Sequence, residues 1–411
     1  MINRGGVGVQ LIMAGLDYRS APIALRERLS FSERKAKSFL MSVQEKDGVS
    51  GCVLVATCNR TEVYLSVESG CTVKPEQILM ESAGAEASQL AGRFYRKTET
   101  EAVLYLMEVA CGLHSQILHE EQIVTQVGQA IELARSCQTS DPMLDTLFRT
   151  AVSAGKYAQT EVRVNAVPLS LSYTAVQMIE KDCGELAGKT CVVIGNGKMG
   201  RLAAELLVER GCMVYVTLRS YRHGDTIVPF GTTPIPYDER FSKIDGCDIV
   251  LSATRSPHFT VTAKQLEKLN KKPQWIIDLA MPRDVEQDCK KVPGVNCRNL
   301  DDFESGTQPD AEALEALHRI AKRYADEFRM WQNYRDCVPY IRQLKALSAD
   351  RLLHSTALDM YRDNEDLDEI VRLVTEKTID MVMGGIKPEI TPELMKSCCE
   401  KVYDRARSLK R

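Results

Sequence analysis

Residues 189–220, "KTCVVIGNGKMGRLAAELLVERGCMVYVTLRS", restrict the fold of this chain more than any other stretch. An apolar run ends at Ile194. Gly195, Gly197 and Gly200 follow in G-x-G-x-x-G register, ahead of an amphipathic helical pattern and a second apolar run. A lone glycine triplet says little, but between a strand and a helix it marks a nucleotide-binding turn. The glycines permit a tight turn and let a pyrophosphate approach the backbone at the helix N-terminus. Asn196, Lys198 and Met199 lie in the same turn and are candidate cofactor contacts. "CDIVLSAT" and "QWIIDLAMP" follow as further apolar strands, and strands alternating with helices predict a doubly wound, Rossmann-type parallel sheet. An NAD site usually has an acidic residue about 20 residues past the glycines, for the ribose 2′-hydroxyl. Here the second strand runs into "VTLRSYRHG", where Arg219 and Arg222 suit a 2′-phosphate, so NADPH is expected rather than NADH. The alternative for either arginine is a plain surface charge.

The flanking blocks differ in kind. Residues 1–160 read as α+β. Ser30 and Glu33 have capping-box spacing, which predicts a helix from near Phe31 to about Glu45. "SGCVLVATCNRTEVYLSVE" predicts two strands around a polar turn, and residues 76–95 and 99–137 read as largely helical. From Asp310 on there is almost no strand signal, and a long amphipathic pattern begins at "DAEALEALHRIAKRYADEF". Its apolar stripe needs cover, from a partner subunit or from packing within the chain. The expectation is therefore a multidomain α/β protein: α+β over 1–160, a Rossmann-type domain over 161–309 and an all-helical domain over 310–411. A chain of 411 residues can supply each with its own core.

Cys58 stands where an apolar strand (Val53, Leu54, Val55) meets Thr57, Asn59, Arg60, Thr61 and Glu62. A thiol at a strand end beside an arginine is a candidate nucleophile, and an inert packed cysteine is the alternative. Its polar escort separates it from Cys191 and Cys247, which sit in apolar strands. A nucleophilic thiol with a nicotinamide cofactor suggests attack on an activated acyl group, then reduction of the thioester to an aldehyde. The chain carries fourteen cysteines, no C-x-x-C pair and no export-type segment, which points to reduced thiols in the cytoplasm. Cys111, His114 and His119 in "CGLHSQILHEEQI" match no standard metal spacing, so no metal is expected. A formal net charge of −3 argues against holding nucleic acid by bulk electrostatics. The tail residues Lys401, Arg405, Arg407, Lys410 and Arg411 form a local basic patch or a solvated helix end. No run has the length of a membrane span, and no membrane is expected.

"ATCNRTEVY" resembles the signature of the glutamyl-tRNA reductase family, which catalyses the first committed step of five-carbon tetrapyrrole (haem) biosynthesis. "GLDYRSAPIALRERLSF", "VACGLHSQILHEEQIVTQV", "GNGKMG", "IDLAMPRDV" and "LDDF" match further family segments in the family's order. The resemblance implies a catalytic domain, an NADPH domain and a helical dimerisation domain, hence a homodimer. It implies that Cys58 attacks the ester carbonyl joining glutamate to the tRNA 3′ end, and that NADPH reduces the thioester to glutamate-1-semialdehyde. Thr57, Asn59, Arg60, Ser115, Glu120, Glu121, Gln122 and Gln126 would hold the glutamyl group, Arg60 pairing with a carboxylate and Glu120 with the α-ammonium. The implied partners are glutamyl-tRNA, a second copy of the chain and the aminotransferase that follows in the pathway.

The chain departs from the family pattern near the chemistry. Tyr105 stands where the family has histidine, and a tyrosine with an ordinary pKa of about 10 is a poor base. It remains a possible helper that donates a hydrogen bond to a carbonyl oxygen. His114 replaces aspartate, His119 glycine and Glu121 proline. Three readings stay open: a reductase with a relocated imidazole, a paralog acting on another acyl donor, and a protein that keeps thiol and cofactor but has lost efficient reduction. A tRNA- or haem-binding regulator on the same scaffold is the alternative of a different class.

Overall fold

Residues 9–84, 89–116, 121–162, 171–218, 227–254, 256–303, 311–354 and 366–408 are described by the structure, a computed structural model. Among them the chain forms two sheets. The first is built from β1 (Val9–Asp17), α1 (Ile23–Arg26), α2 (Glu33–Gln44), β2 (Val49–Ala56), β3 (Arg60–Glu68), α3 (Pro75–Ser82) and β4 (Tyr95–Thr98). Its strand order is β2-β3-β1-β4, with β2/β3 and β1/β4 antiparallel, the β-α-β-β-α-β plan of a ferredoxin-like sheet. Three helices follow: α4 (Glu99–Ala110), α5 (Glu121–Ser136) and α6 (Pro142–Glu161). The start of α6 shows how local chemistry sets an element. Asp141 accepts from Leu144 N, and Pro142 fills the first helical position, where its missing N–H costs nothing. Gly155 in α6 has a packing reason, because a Cβ there would lie 2.5 Å from the carbonyl oxygen of Ala110.

The second sheet follows α7 (Leu171–Cys183). It runs through β5 (Thr190–Ile194), α8 (Lys198–Glu209), β6 (Met213–Leu218), β7 (Thr232–Pro236), α9 (Arg240–Ile244), β8 (Ile249–Ser252), α10 (Ala263–Glu267), β9 (Trp275–Asp278) and β10 (Asn296–Asn299). Every neighbouring pair is parallel and the order is β10-β9-β8-β5-β6-β7. Counted from β5 this is the 3-2-1-4-5-6 order of a Rossmann sheet, as expected, with its ligand crevice where the winding reverses between β5 and β8. Alternate residues of β5 face opposite cores, Cys191 and Val193 one, Val192 and Ile194 the other.

After β10 the described residues are helical: α11 (Ala311–Leu353), α12 (Leu367–Gly385) and α13 (Pro392–Ser408). The chain divides into two compact units. One comprises Leu11–Val67 with Cys71–Ala321 and holds both sheets. The other is chiefly Lys322–Arg411, cored by Cys337, Ile341, Leu344, Met383, Ile390, Met395 and Cys399. Among the described residues no helix is long and apolar enough to cross a membrane.

Four local details correct or refine the expectations. The α2 cap is Ser32, which accepts from Lys35 N, because a 3-10 turn over Glu27–Leu29 ends at Ser30 and delays the helix. The helical reading that ran to residue 95 ends earlier, because Tyr95–Thr98 is an edge strand paired with β1. The largely helical stretch expected over 99–137 is interrupted by a turn at 111–116, where Gly112 has φ +80°. Edge strands β7 and β10 were not anticipated, because "TTPIP" and "NCRN" carry no apolar run.

The strand ends at the crevice are tied by two buried carboxylates. Asp284 accepts from Ser252 Oγ (2.7 Å), Thr254 N (2.8 Å) and Thr254 Oγ1 (2.6 Å). Asp278 accepts from Ala280 N and Val285 N, both at 2.9 Å. Burial and the neighbouring Asp284 push the Asp278 carboxyl up to about 8, against the pull of those N–H bonds. Between about pH 4, the ordinary carboxylate range, and pH 8 the folded chain therefore holds a proton that the unfolded chain has released. This group's contribution to stability accordingly falls as pH rises through that window. Asp278→Asn is expected to flatten the fall in melting temperature between pH 5 and 8, measured by thermal denaturation at several pH values.

Candidate active site

The β2–β3 register pairs Ala56 with Thr61 and leaves residues 57–60 as the connecting turn. Thr57 N donates to Arg60 O at 2.8 Å, while Thr57 Oγ1 accepts from Asn59 N and Arg60 N, each at 3.2 Å. The threonine hydroxyl thus closes the turn in place of a backbone carbonyl. Cys58 sits at the tip, half-buried. It packs against the apolar cluster of the parallel sheet, which also takes Met199, Ala253 and Met281. Its carbonyl oxygen accepts from Arg26 Nη1 at 2.5 Å. Asn59 is buried; its carbonyl oxygen accepts from Tyr18 N at 2.9 Å and its Oδ1 has no protein partner.

Arg60 does not face outward to meet a substrate carboxylate. It is 1% exposed, and Nη1 reaches Glu62 Oε1 at 2.9 Å and the Tyr105 hydroxyl at 3.2 Å. Its Nη2 donates to the His114 carbonyl oxygen at 2.5 Å. Burial works against the charge, but Glu62 together with Tyr105 and Tyr95 outweighs it and the guanidinium stays ionised. Tyr64 donates to Glu62 Oε2 and Tyr95 to Glu62 Oε1, both at 2.8 Å, and Tyr105 reaches Glu62 Oε1 at 2.9 Å. Burial first, then the Glu62 carboxylate, raise the Tyr105 hydroxyl above its ordinary value. Tyr105 is thus a buried donor within this network, with the alternative base role further removed.

The turn after α4 folds His114 back over Tyr105, with ring centroids 4.7 Å apart and 35° between planes. His114 Nε2 lies 2.8 Å from Glu108 Oε2 and Nδ1 lies 3.3 Å from Arg19 Nη1. A guanidinium only donates, which assigns the proton to Nε2 and makes Nδ1 the acceptor. An imidazole therefore stands one ring away from position 105, which the helical spacing alone could not establish. Cys111 is buried, its thiol pushed up to about 12 by burial and by Glu108. Ser115 is buried in the turn and its carbonyl oxygen accepts from Tyr18 Oη at 3.5 Å. Gln122 and Gln126 are half-buried on α5, which opens at Glu121. His119 and Glu120 lie outside the described residues.

At the crevice, Gly195 has φ +105° and donates its N–H to Thr217 Oγ1 at 2.9 Å. A Cβ on Gly200 would lie 1.9 Å from Gly195 O, whereas one on Gly197 would meet nothing within 4 Å. The first contact forces glycine for strand–helix packing, and the second leaves open space at the N-terminus of α8. Gly197 caps α8 with no side-chain hydrogen bond, Lys198 is exposed, and Asn196 donates to Ile227 O while its buried Oδ1 is orphaned. Arg219 and Arg222 lie outside the described residues. A separate open cavity of about 280 Å³ lies beside the β2–β3 turn, with Tyr18, Arg19, Arg93, Gln116 and Asp301 in its wall.

Sequence reasoning named Glu62 only as part of the polar cluster, and gave no role to Tyr18, Arg26 or Asp301. The last two stand in the quoted segments "IALRERLSF" and "LDDF", but nothing local reveals that they meet.

Residues 14–162 match the family described as Glutamyl-tRNAGlu reductase, N-terminal domain, and residues 177–305 match Shikimate / quinate 5-dehydrogenase. A probable multifunctional siroheme biosynthesis protein, HemA, of Ruminiclostridium josui is 40% identical over 80% of this chain, which spans 64% of that longer protein. A glutamyl-tRNA reductase of Acetivibrio thermocellus is 37% identical over 80% of this chain and 98% of its own length. The solved glutamyl-tRNA reductase of Methanopyrus kandleri is 25% identical, with 97% of this chain and 98% of that one aligned at a TM-score of 0.44.

Two substitutions separate the roles within the network. Glu62→Ala strands a buried guanidinium and is expected to cost ~3–5 kcal/mol of unfolding free energy. Tyr105→Phe removes the hydroxyl that meets Glu62, Arg60 and Tyr95 but leaves the ion pair intact, and is expected to cost less, about 1–2 kcal/mol. Urea unfolding of both variants checks the order.

Proposed function

The chain belongs to the glutamyl-tRNA reductase family of oxidoreductases, and we propose that it reduces glutamyl-tRNA to glutamate-1-semialdehyde through a thioester on Cys58, with NADPH as cofactor. The observation that carries this reading is the placement of Cys58. A strand turn delivers the thiol into the same apolar cluster that receives Met199 of the glycine turn. Nucleophile and cofactor cradle thus share one wall.

The residues present fit a dinucleotide. The open space at Gly197, the uncapped N-terminus of α8 and the orphaned Asn196 Oδ1 suit a pyrophosphate and its ribose. Arg219 and Arg222 are the candidates for the 2′-phosphate. In the proposed sequence, Cys58 Sγ attacks the ester carbonyl carbon, the C–O bond to the tRNA breaks, and the 3′-hydroxyl leaves with a proton. Held at the turn of Gly195, Gly197 and Gly200, NADPH would supply the hydride that takes the Cys58 thioester to the aldehyde, with the Cys58 thiolate as the leaving group. Thr57 and Arg60 act by holding the turn. Asn59 Oδ1, Ser115, Gln122 and Gln126 are the described polar groups left to meet the glutamyl group, and Glu120 and Glu121 complete the proposed set.

A homodimer belongs to the same reading. Along α12, Ile370, Leu373, Val374, Met381 and Val382 are each about half or more exposed, an apolar stripe at helical spacing that a second copy would cover. None of the fourteen cysteines is in a disulfide, which suits a reducing cytoplasm. An aminotransferase is the proposed recipient of the aldehyde.

Single-turnover reaction with glutamyl-tRNA tests the chemistry. Wild-type protein is expected to form aldehyde only with NADPH, and Cys58→Ser to form none and to release no tRNA. Aldehyde from Cys58→Ser would refute the thioester. Met381→Glu is expected to convert the dimer to monomer in sedimentation, and an unchanged mass would place the interface elsewhere.

A further inference from the structure

Two ion pairs of opposite polarity join the first sheet's block to the parallel-sheet block. Arg26, 1% exposed, donates Nη2 to Asp301 Oδ1 at 2.5 Å. Beside it, Glu27 receives Arg283 in bidentate fashion, Nη2 at 2.5 Å and Nε at 2.9 Å. Asp301 Oδ2 also accepts from Ile23 N at 2.6 Å, and the Ile23 side chain is buried in the parallel-sheet core with Leu300. Sliding one surface past the other would set Arg26 against Arg283 in one direction or Glu27 against Asp301 in the other. The alternation of sign therefore admits one register.

Only one of the two pairs reaches further. Arg26 Nη1 donates to the carbonyl oxygen of Cys58 at 2.5 Å. The guanidinium is a rigid planar fork. One prong holds the backbone of the thiol-bearing residue, and the other holds the block that carries the glycine turn. Asp301 is itself fixed, its N–H donating to Asn299 Oδ1 at 2.9 Å in the cap that ends β10.

We propose that Arg26 and Asp301 are positioning residues for hydride transfer: they set the acyl carbon on Cys58 against the cofactor block, and acylation of the thiol does not need them. The proposal rests on the Cys58 thioester reading. Acylation uses the thiol and the pocket of its own block. Reduction needs the acyl carbon in reach of a group held by the other block, and a misplacement of about 1 Å can cost about a hundredfold in rate. The thioester has two exits. Hydride addition yields aldehyde, and water addition yields free glutamate, each returning the Cys58 thiol. The ratio of aldehyde to glutamate therefore reads the geometry of reduction alone.

Single-turnover reactions of the full chain with glutamyl-tRNA and saturating NADPH test this, comparing wild type, Asp301→Asn, Arg26→Lys and Glu27→Gln. In Asp301→Asn and Arg26→Lys, tRNA release is expected within about twofold of wild type and the aldehyde-to-glutamate ratio to fall about tenfold or more. NADPH affinity, read by fluorescence titration, is expected to stay unchanged. Glu27→Gln loosens the same interface without a link to Cys58, and its ratio is expected to move by less than about twofold. An Asp301→Asn protein whose ratio holds, whose tRNA release falls in step with aldehyde, or which Glu27→Gln matches, overturns the proposal. A misfolded variant would show as lost tRNA release and a lowered melting temperature, and a folded Arg26→Lys then decides by the same ratio. Wild-type protein that makes no Cys58-dependent aldehyde overturns the thioester reading first, and this proposal with it.

Discussion

The block of the first sheet depends on one buried ion pair, Arg60 with Glu62, whose side chains are 1% and 0% exposed. Two charges taken out of water cost several kcal/mol each unless their hydrogen-bonding capacity is filled. Tyr64, Tyr95, Tyr105 and the His114 carbonyl fill it. That demand pulls β3, β4, α4 and the turn after α4 to one point. Cys58 lies two residues before Arg60, so the position of the thiol follows from where the guanidinium must be. The same demand accounts for Tyr105. A histidine there would be a proton carrier, whereas a phenol inside this cage is a fixed donor, and the imidazole stands beside it as His114.

Thiol and cofactor turn belong to different blocks, so the fold must join residues far apart in the chain. Arg26 and Asp301 are separated by 275 positions, Glu27 and Arg283 by 256. Apolar docking and polar orientation divide the task. Ile23 enters the parallel-sheet core, and a buried side chain of that size contributes roughly 1.5–3 kcal/mol. The ion pairs add less net energy but discriminate between registers, because a wrong pairing leaves like charges facing in a half-buried seam.

Part of this was legible beforehand. β5, β8 and β9 are buried on both faces and read as plain apolar runs. The edge strands β4, β7 and β10 were not legible, because a strand with one solvated face and few apolar residues has no period to detect. Cys58 was found because a polar cluster interrupts an apolar run. Thr57 and Arg60 were assigned to the substrate, although one closes the turn and the other is locked in the interior. Residue type and spacing show that polar groups gather at a point, but not whether they look outward or inward. A carboxylate two positions along, Glu62, decides that for Arg60, and its effect appears only when β3 is packed.

The sequence by itself determined the nucleotide-binding half, since Gly195, Gly197 and Gly200 encode backbone geometry that few other arrangements need. It also singled out Cys58 as the candidate thiol, and it determined the family. Those are local properties, carried by φ angles, absent Cβ atoms and a strand pattern a few residues long. The tertiary structure alone decided which polar side chains are consumed inside the protein, that His114 returns over Tyr105, and that Arg26 links Cys58 to Asp301. Each of these is a contact between segments far apart in the chain, set by the packing of whole sheets and helices, and no window of the sequence contains both partners.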